Sequence, residues 1–160
     1  MVSKYEVAWT LAVVGLLAGV AGYSAILLYH IDSLGDPGEY VDVIGHQWFW
    51  EFCYPANVST SGCFNSTYTA PTTEGGLGSV TGGALWATPG EVVQINVTSD
   101  DVVHSFNIPN LGVRIDAIPG RMNLFQFTVP TAAPGTEYLI QCTEFCGEFH
   151  GTMRSFLVIT

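Results

Sequence analysis

The sequence predicts a mainly β domain, an antiparallel sandwich or barrel, behind one N-terminal membrane-spanning helix. Three observations carry this reading. The run YEVAWTLAVVGLLAGVAGYSAILLY, from Tyr5 to Tyr29, has no formal charge between Glu6 and Asp32 apart from His30. After Pro37 and Gly38 the chain breaks into short runs rich in β-branched and aromatic residues. Those runs are separated by turn signals such as TPGE, IPGR and AAPGT, with no helical periodicity between them.

The N-terminal run comes first. About 22 apolar residues at helical rise cover roughly 33 Å, enough for the hydrocarbon core of a bilayer. Trp9 and Tyr29 sit near its two ends, where interfacial aromatics belong. Gly15, Gly19 and Gly22 form a small-residue stripe suited to close approach of another helix. A cleaved signal peptide would have a shorter apolar region ending in a small-x-small site. Here the run ends in LLYHID, which favours an uncleaved anchor. Lys4 precedes the helix, and Asp32, Asp36, Glu39 and Asp42 follow it. The positive-inside tendency then puts the N-terminus in the cytoplasm and the rest outside a plasma membrane. The expected division is an anchor over 1–34 and an extracytoplasmic domain over 35–160.

Six strands are expected: EYVDVIGHQWFWEF (39–52), EVVQINVTS (91–99), HSFNIP (104–109), LFQFTV (124–129), EYLIQC (137–142) and RSFLVI (154–159). The Ser/Thr/Gly/Asn-rich tract from Pro55 to Gly83 reads as a long surface excursion with at most weak strands. Cys53 and Cys63 bracket its start, and outside the cytoplasm they are expected to form a disulfide. Closing so short a loop stabilises by about 2–3 kcal/mol. Two free buried thiols are the alternative. Sequons at Asn57, Asn65 and Asn96 point to the same compartment, each weakly.

Composition narrows the function. With 14 acids against 4 Lys plus Arg, the net charge is −10, which excludes a nucleic-acid-binding face. Only 11% of residues are charged, and the mean hydropathy is +0.34, unusually apolar for a soluble chain.

The chemistry concentrates in CTEFCGEFHGTM, Cys142 to Met153. The spacing C-x3-C-x3-H-x2-M is not that of a zinc finger, and zinc has no use for a thioether. Cys, His and Met together are the soft ligand set of copper. In cupredoxin-type sandwiches one histidine comes from an earlier strand end and the other ligands from the loop joining the last two strands. His104, directly after EVVQINVTS, fits the first place. Two thiolates can each bridge two coppers. On that plan Cys142 and Cys146 bridge, His104 and His150 terminate, Met153 gives one weak contact, and a loop carbonyl such as that of Glu144 gives the other. A Cys142–Cys146 disulfide is the competing reading. His30 and His46 lack such company and read as interfacial or structural.

These residues resemble subunit II of the heme–copper oxygen reductases, the subunit that carries the dinuclear CuA centre. GHQWFW (45–50), DDVVHSFNIPNLGVRIDAIPGR (100–121), the QCTEFCGEFHGTM loop and the N-terminal helix carry the likeness, over about half the chain. The resemblance implies a cupredoxin-like Greek-key domain with CuA held by His104, Cys142, the Glu144 carbonyl, Cys146, His150 and Met153. It implies that the Glu144 side chain reaches a Mg2+ or Mn2+ ion at the boundary with subunit I. Electrons would enter at Trp48, with Trp50 close by, from a cytochrome c or a blue copper protein. Asp116 and Arg121 would face subunit I and its hemes. The chain would thus be the electron-transfer subunit of an oxidoreductase that reduces oxygen elsewhere. A single helix matches the single-helix branch of the family, and the Cys53/Cys63 pair and the Pro55–Gly83 tract lie outside the shared pattern. A CuA subunit of a nitric oxide reductase and a membrane-anchored copper-binding or delivery protein are the rival readings. Nitrous oxide reductase, a third CuA protein, needs a large further domain, and a quinol-oxidising relative would lack the copper ligands.

Overall fold

The computed structural model describes residues 3–32, 35–55, 62–69 and 79–160. By internal contacts the chain forms two units, residues 1–34 and 35–160. The first is one helix, α1 (Lys4–Asp32). Leu, Val, Ile and Tyr side chains stand exposed on it from Tyr5 to Tyr29, so it has no buried face of its own. Its segment Lys4–His30 has a mean hydropathy of 2.2, long and apolar enough to cross a membrane.

The second unit is a sandwich of two sheets. One sheet runs in the order β4 (Ser79–Gly82), β3 (Gly62–Thr69), β2 (Phe49–Tyr54), β1 (Glu39–His46), β6 (Val92–Ser99), β9 (Asn123–Thr128). The other runs β5 (Leu85–Ala87), β11 (Arg154–Ile159), β10 (Glu137–Cys142), β7 (His104–Ile108), β8 (Val113–Ala117). Alternation along β1 and β6 puts Val41, Val43, Val93, Ile95 and Val97 inside. They meet Phe106, Ile108, Ile140, Leu157 and Ile159 from the second sheet. Trp50 and Phe52 of β2 complete the core.

The structure corrects three expectations. The sandwich is mixed: β1 pairs with β6 in parallel, as does β11 with β5. A parallel pair needs a crossover, and β2 to β5 supply it between β1 and β6. The stretch expected as one strand, 39–52, is a hairpin. β1 and β2 are antiparallel, His46 faces Phe49, and Gln47 and Trp48, joined by a cis peptide, form the turn. Neither residue has turn chemistry of its own. Contacts from remote segments hold them, as described below. Thirdly, the Pro55–Gly83 tract contains a β3–β4 hairpin that widens the first sheet. Residues 56–61, with the sequon at Asn57, and 70–78 lie outside the described residues. β5 and β8 were not expected from the sequence at all.

Cys53 and Cys63 face each other directly across β2 and β3 and are bonded, with Cα atoms 4.0 Å apart.

Candidate metal centre

One end of the sandwich gathers the donors. His104 opens β7 and is fully buried. Cys142 closes β10 beside it, since Cys142 pairs with Phe106 in the neighbouring strand. The chain then leaves the sheet. The Thr143 N–H donates to the Ser105 carbonyl at 3.0 Å, and the Cys142 N–H donates to the Met153 carbonyl at 3.1 Å, so both ends of the loop are pinned. A 3-10 turn, His150–Thr152, brings Met153 back inside, fully buried.

Within this loop the Cys142 and Cys146 sulfurs lie 3.9 Å apart, both thiols free and buried. The His104 Nδ1 is 3.9 Å from the Cys142 sulfur, and the Glu144 carbonyl is 3.2 Å from it. The His150 Nδ1 is 3.4 Å, and the Met153 sulfur 3.9 Å, from the Cys146 sulfur. The ligand atoms of His104, Cys142 and Cys146 all lie within 4.8 Å of one another. A disulfide needs its sulfurs at about 2.05 Å, so these two are not bonded. Yet 3.9 Å is less than twice a metal–thiolate bond of about 2.3 Å, so an ion can touch both. Two thiolates, two imidazoles, a thioether and a carbonyl around one small space are a soft donor set that fits copper.

The electrostatics fit the same use. Burial raises the Cys142 pKa, but hydrogen bonds from His104 and from the main chain around it outweigh burial and hold it below the ordinary thiol value. Cys146 is pushed up to about 12, first by burial and then by the neighbouring Cys142 thiolate. For His104, burial lowers the pKa, but the Cys142 sulfur and the Asp101 carboxylate bring it above the ordinary value. Asp101 Oδ1 lies 2.8 Å from His104 Nε2. With a proton on Nε2 the ring satisfies that carboxylate, and the Nδ1 proton that the Cys142 sulfur accepts in the metal-free chain is the one a ligating histidine would give up.

The aromatics differ from one another. The Trp48 indole is half-buried, donates from Nε1 to the Cys146 carbonyl at 3.2 Å, and meets Phe149 edge-on with ring centres 4.9 Å apart. Phe149 is exposed, as is Phe145, whose ring lies 5.9 Å from that of His150. Trp50 has no exposed surface. It packs against Phe106 and His104, so an outside partner cannot touch it. Gly45 allows this packing: a Cβ there would come within 2.8 Å of the His104 ring and 3.2 Å of Trp50.

The remaining residues fall elsewhere. The Glu144 side chain is exposed. Asp116 and Arg121 line an open groove of about 490 Å³ with Arg114, Ile115, Ile118 and Asn123. The groove adjoins the centre, since Asp116 on β8 pairs with Ser105 next to His104. His46 is held by Glu51 at 3.1 Å and stacks on Phe49. Glu51 is also near Cys53 and Cys63, but bonded sulfurs offer no thiolate to a metal. Sequence reasoning missed Gly45, Gln47, Asp101 and Gly147. Only Asp101, three residues before His104, left a local trace.

Fold and donors together define the class: a cupredoxin-like domain with a cluster of two free thiols and other soft donors at one end, preceded by an apolar helix. Comparison with known proteins agrees. Residues 40–159 match the family described as cytochrome c oxidase subunit II, periplasmic domain. Cytochrome c oxidase subunit 2 of Cyanidium caldarium is 35% identical over 154 residues, covering 92% of this chain and 59% of that protein. The chain therefore spans well under two thirds of that relative's length. The periplasmic domain of subunit II of cytochrome oxidase (CoxB) of Bradyrhizobium japonicum superposes with a TM-score of 0.67 at 31% identity, over 79% of this chain and 87% of that one. A subunit II domain caught in a mixed disulfide with a thioredoxin-like protein superposes at 0.63 with 30% identity, over 80% and 85%. The chain belongs to the cytochrome c oxidase subunit II family.

Proposed function

We propose that this chain is the electron-accepting subunit of a membrane-bound heme–copper oxidase and that it holds the dinuclear CuA centre. One observation carries the reading: two free, buried sulfurs held 3.9 Å apart, with imidazoles, a thioether and a carbonyl around them. When bound, the copper pair supplies one-electron chemistry with the charge shared between two ions. Cys142, Cys146, His104, His150, Met153 and the Glu144 carbonyl would hold the ions. The protein's part is rigidity. His104 and Met153 are fully buried, and both loop ends are hydrogen-bonded to the sheet, so the donors move little when charge changes.

Trp48 is the aromatic that meets the donor, a cytochrome c or a blue copper protein. Exposed Phe149 meets its ring and Asp101 holds the turn that carries it, with exposed Asp100 and Glu148 adjoining these two residues in the chain, a setting that favours a basic donor with an apolar contact at its centre. The buried Trp50 supports His104 from behind. Electrons then pass to the hemes of subunit I, where oxygen is reduced. Asp116 and Arg121 face that subunit, and the Glu144 side chain takes a Mg2+ or Mn2+ ion at the boundary. The helix α1 anchors the subunit with its N-terminus in the cytoplasm and the copper domain outside.

The test is copper-loaded full-length protein in detergent. Copper binds as a pair, and electron paramagnetic resonance gives hyperfine structure from two equivalent nuclei. A spectrum from a single copper nucleus would sink the assignment.

A further inference from the structure

We propose that Gln47 is a positioning residue that seats the Trp48 indole on the main chain of Cys146. The inference rests on the reading of Trp48 as the point where electrons arrive. Gln47 touches no metal-donor atom. Its amide Nε2 donates to the Cys146 carbonyl at 2.7 Å, and the Trp48 Nε1 donates to the same oxygen at 3.2 Å. A carbonyl has two lone pairs, and both are used. The shorter bond belongs to the amide, so Gln47 fixes the carbonyl and the indole is laid beside it.

Gln47 is held from the other side as well. Its main-chain N–H donates to Asp101 Oδ2 at 2.6 Å, and the other oxygen of that carboxylate lies 2.8 Å from His104 Nε2. One exposed turn residue therefore ties the turn to both ligand-bearing segments, the His104 segment through its backbone and the Cys146 segment through its side chain. Burial does not explain this residue; its two donor groups do.

Gly147 makes the seat possible. A Cβ there would lie 3.0 Å from the Gln47 amide nitrogen and 3.1 and 3.2 Å from two atoms of the Trp48 ring. Its φ of +122° is also a conformation that side chains disfavour. Amide and indole thus lie against bare backbone, and Phe149 meets the indole edge-on. The result is a short connection. One hydrogen bond links the indole to the Cys146 carbonyl, and from there only the residue's own covalent bonds lead to its sulfur.

The experiment uses the full chain in detergent, with and without copper, in three variants. Gln47→Leu removes the amide, and Gln47→Glu keeps its shape without an N–H at neutral pH. Both are expected to speed hydrogen exchange of the Trp48 indole N–H by about fivefold, the loss of one ordinary hydrogen bond, whether or not copper is bound. Both are expected to slow reduction of the copper centre by a c-type cytochrome by about the same factor, with the paramagnetic resonance spectrum unchanged. Unchanged indole exchange in the two variants overturns the positioning role. A slower reduction accompanied by an altered copper spectrum overturns it too, because Gln47 would then be shaping the ligands. In the third variant, Trp48→Phe, undiminished reduction defeats the electron-arrival role of Trp48 itself, and indole exchange in the Gln47 variants still reports on the seat independently.

Discussion

The domain holds two pairs of cysteines, and their fates diverge. Cys53 and Cys63 sit opposite each other on β2 and β3, where strand register brings their Cα atoms to 4.0 Å, and they are bonded. Cys142 and Cys146 are only four residues apart, yet their sulfurs stay at 3.9 Å. The loop ends are pinned to Ser105 and Met153, and the Cys146 carbonyl is held by Gln47 and Trp48. Nitrogen, sulfur and oxygen donors surround the second pair. The first pair sits in the β2–β3 ladder with Asp42 of β1 opposite Cys53, and among the described residues no imidazole joins it. A cysteine pair thus becomes a cross-link or an open two-thiol cluster according to what the backbone fixes and which donors face it, not according to sequence separation.

The comparison can be pressed hardest at the second pair. Cys142→Ser removes a bridging thiolate and is expected to abolish the copper pair altogether. The spectrum should lose its two-nucleus hyperfine pattern while far-ultraviolet circular dichroism keeps its β signature. A smaller effect comes from pH. In the metal-free chain Cys146 holds its proton up to about 12, so at neutral pH copper must displace it. The sign follows: apparent copper affinity rises with pH, by about tenfold per unit for each proton displaced, and weakens as pH falls. Competition with a chelator of known affinity between pH 6 and 9 measures the slope. The first pair should leave the copper centre unmoved. Replacing both Cys53 and Cys63 by Ser is expected to cost about 2–3 kcal/mol in denaturant unfolding with no change in the copper spectrum. A spectral change there would mean that the two pairs are not independent.

Much of the donor cluster was legible in the sequence because most of it is local. Five of its side chains belong to residue types that few other sites combine, and four of them lie in one twelve-residue stretch. Strand alternation likewise announced β1, β6, β10 and β11. The supporting network was not legible. Gln47 finds Asp101 across 54 residues and Cys146 across 99, and nothing in the stretch HQWF announces a turn. The turn exists because remote groups accept its donors. The parallel pairing of β1 with β6 was hidden for a similar reason, since alternation states which face is buried and is silent on direction. β3, β5 and β8 fell to composition: polar residues fill β3, β5 has three residues, and β8 runs through a stretch of mixed charge.

The hairpin register of Cys53 and Cys63 also bears on the order of events as the chain is made. These cysteines are ten residues apart, and a loop that short closes quickly. Both emerge from synthesis well before Cys142 and Cys146. An oxidant acting on the growing chain therefore meets the first pair alone and consumes it in the correct partnership. The later thiols then appear in a chain with no free partner left to mispair with, and their remaining hazard is each other.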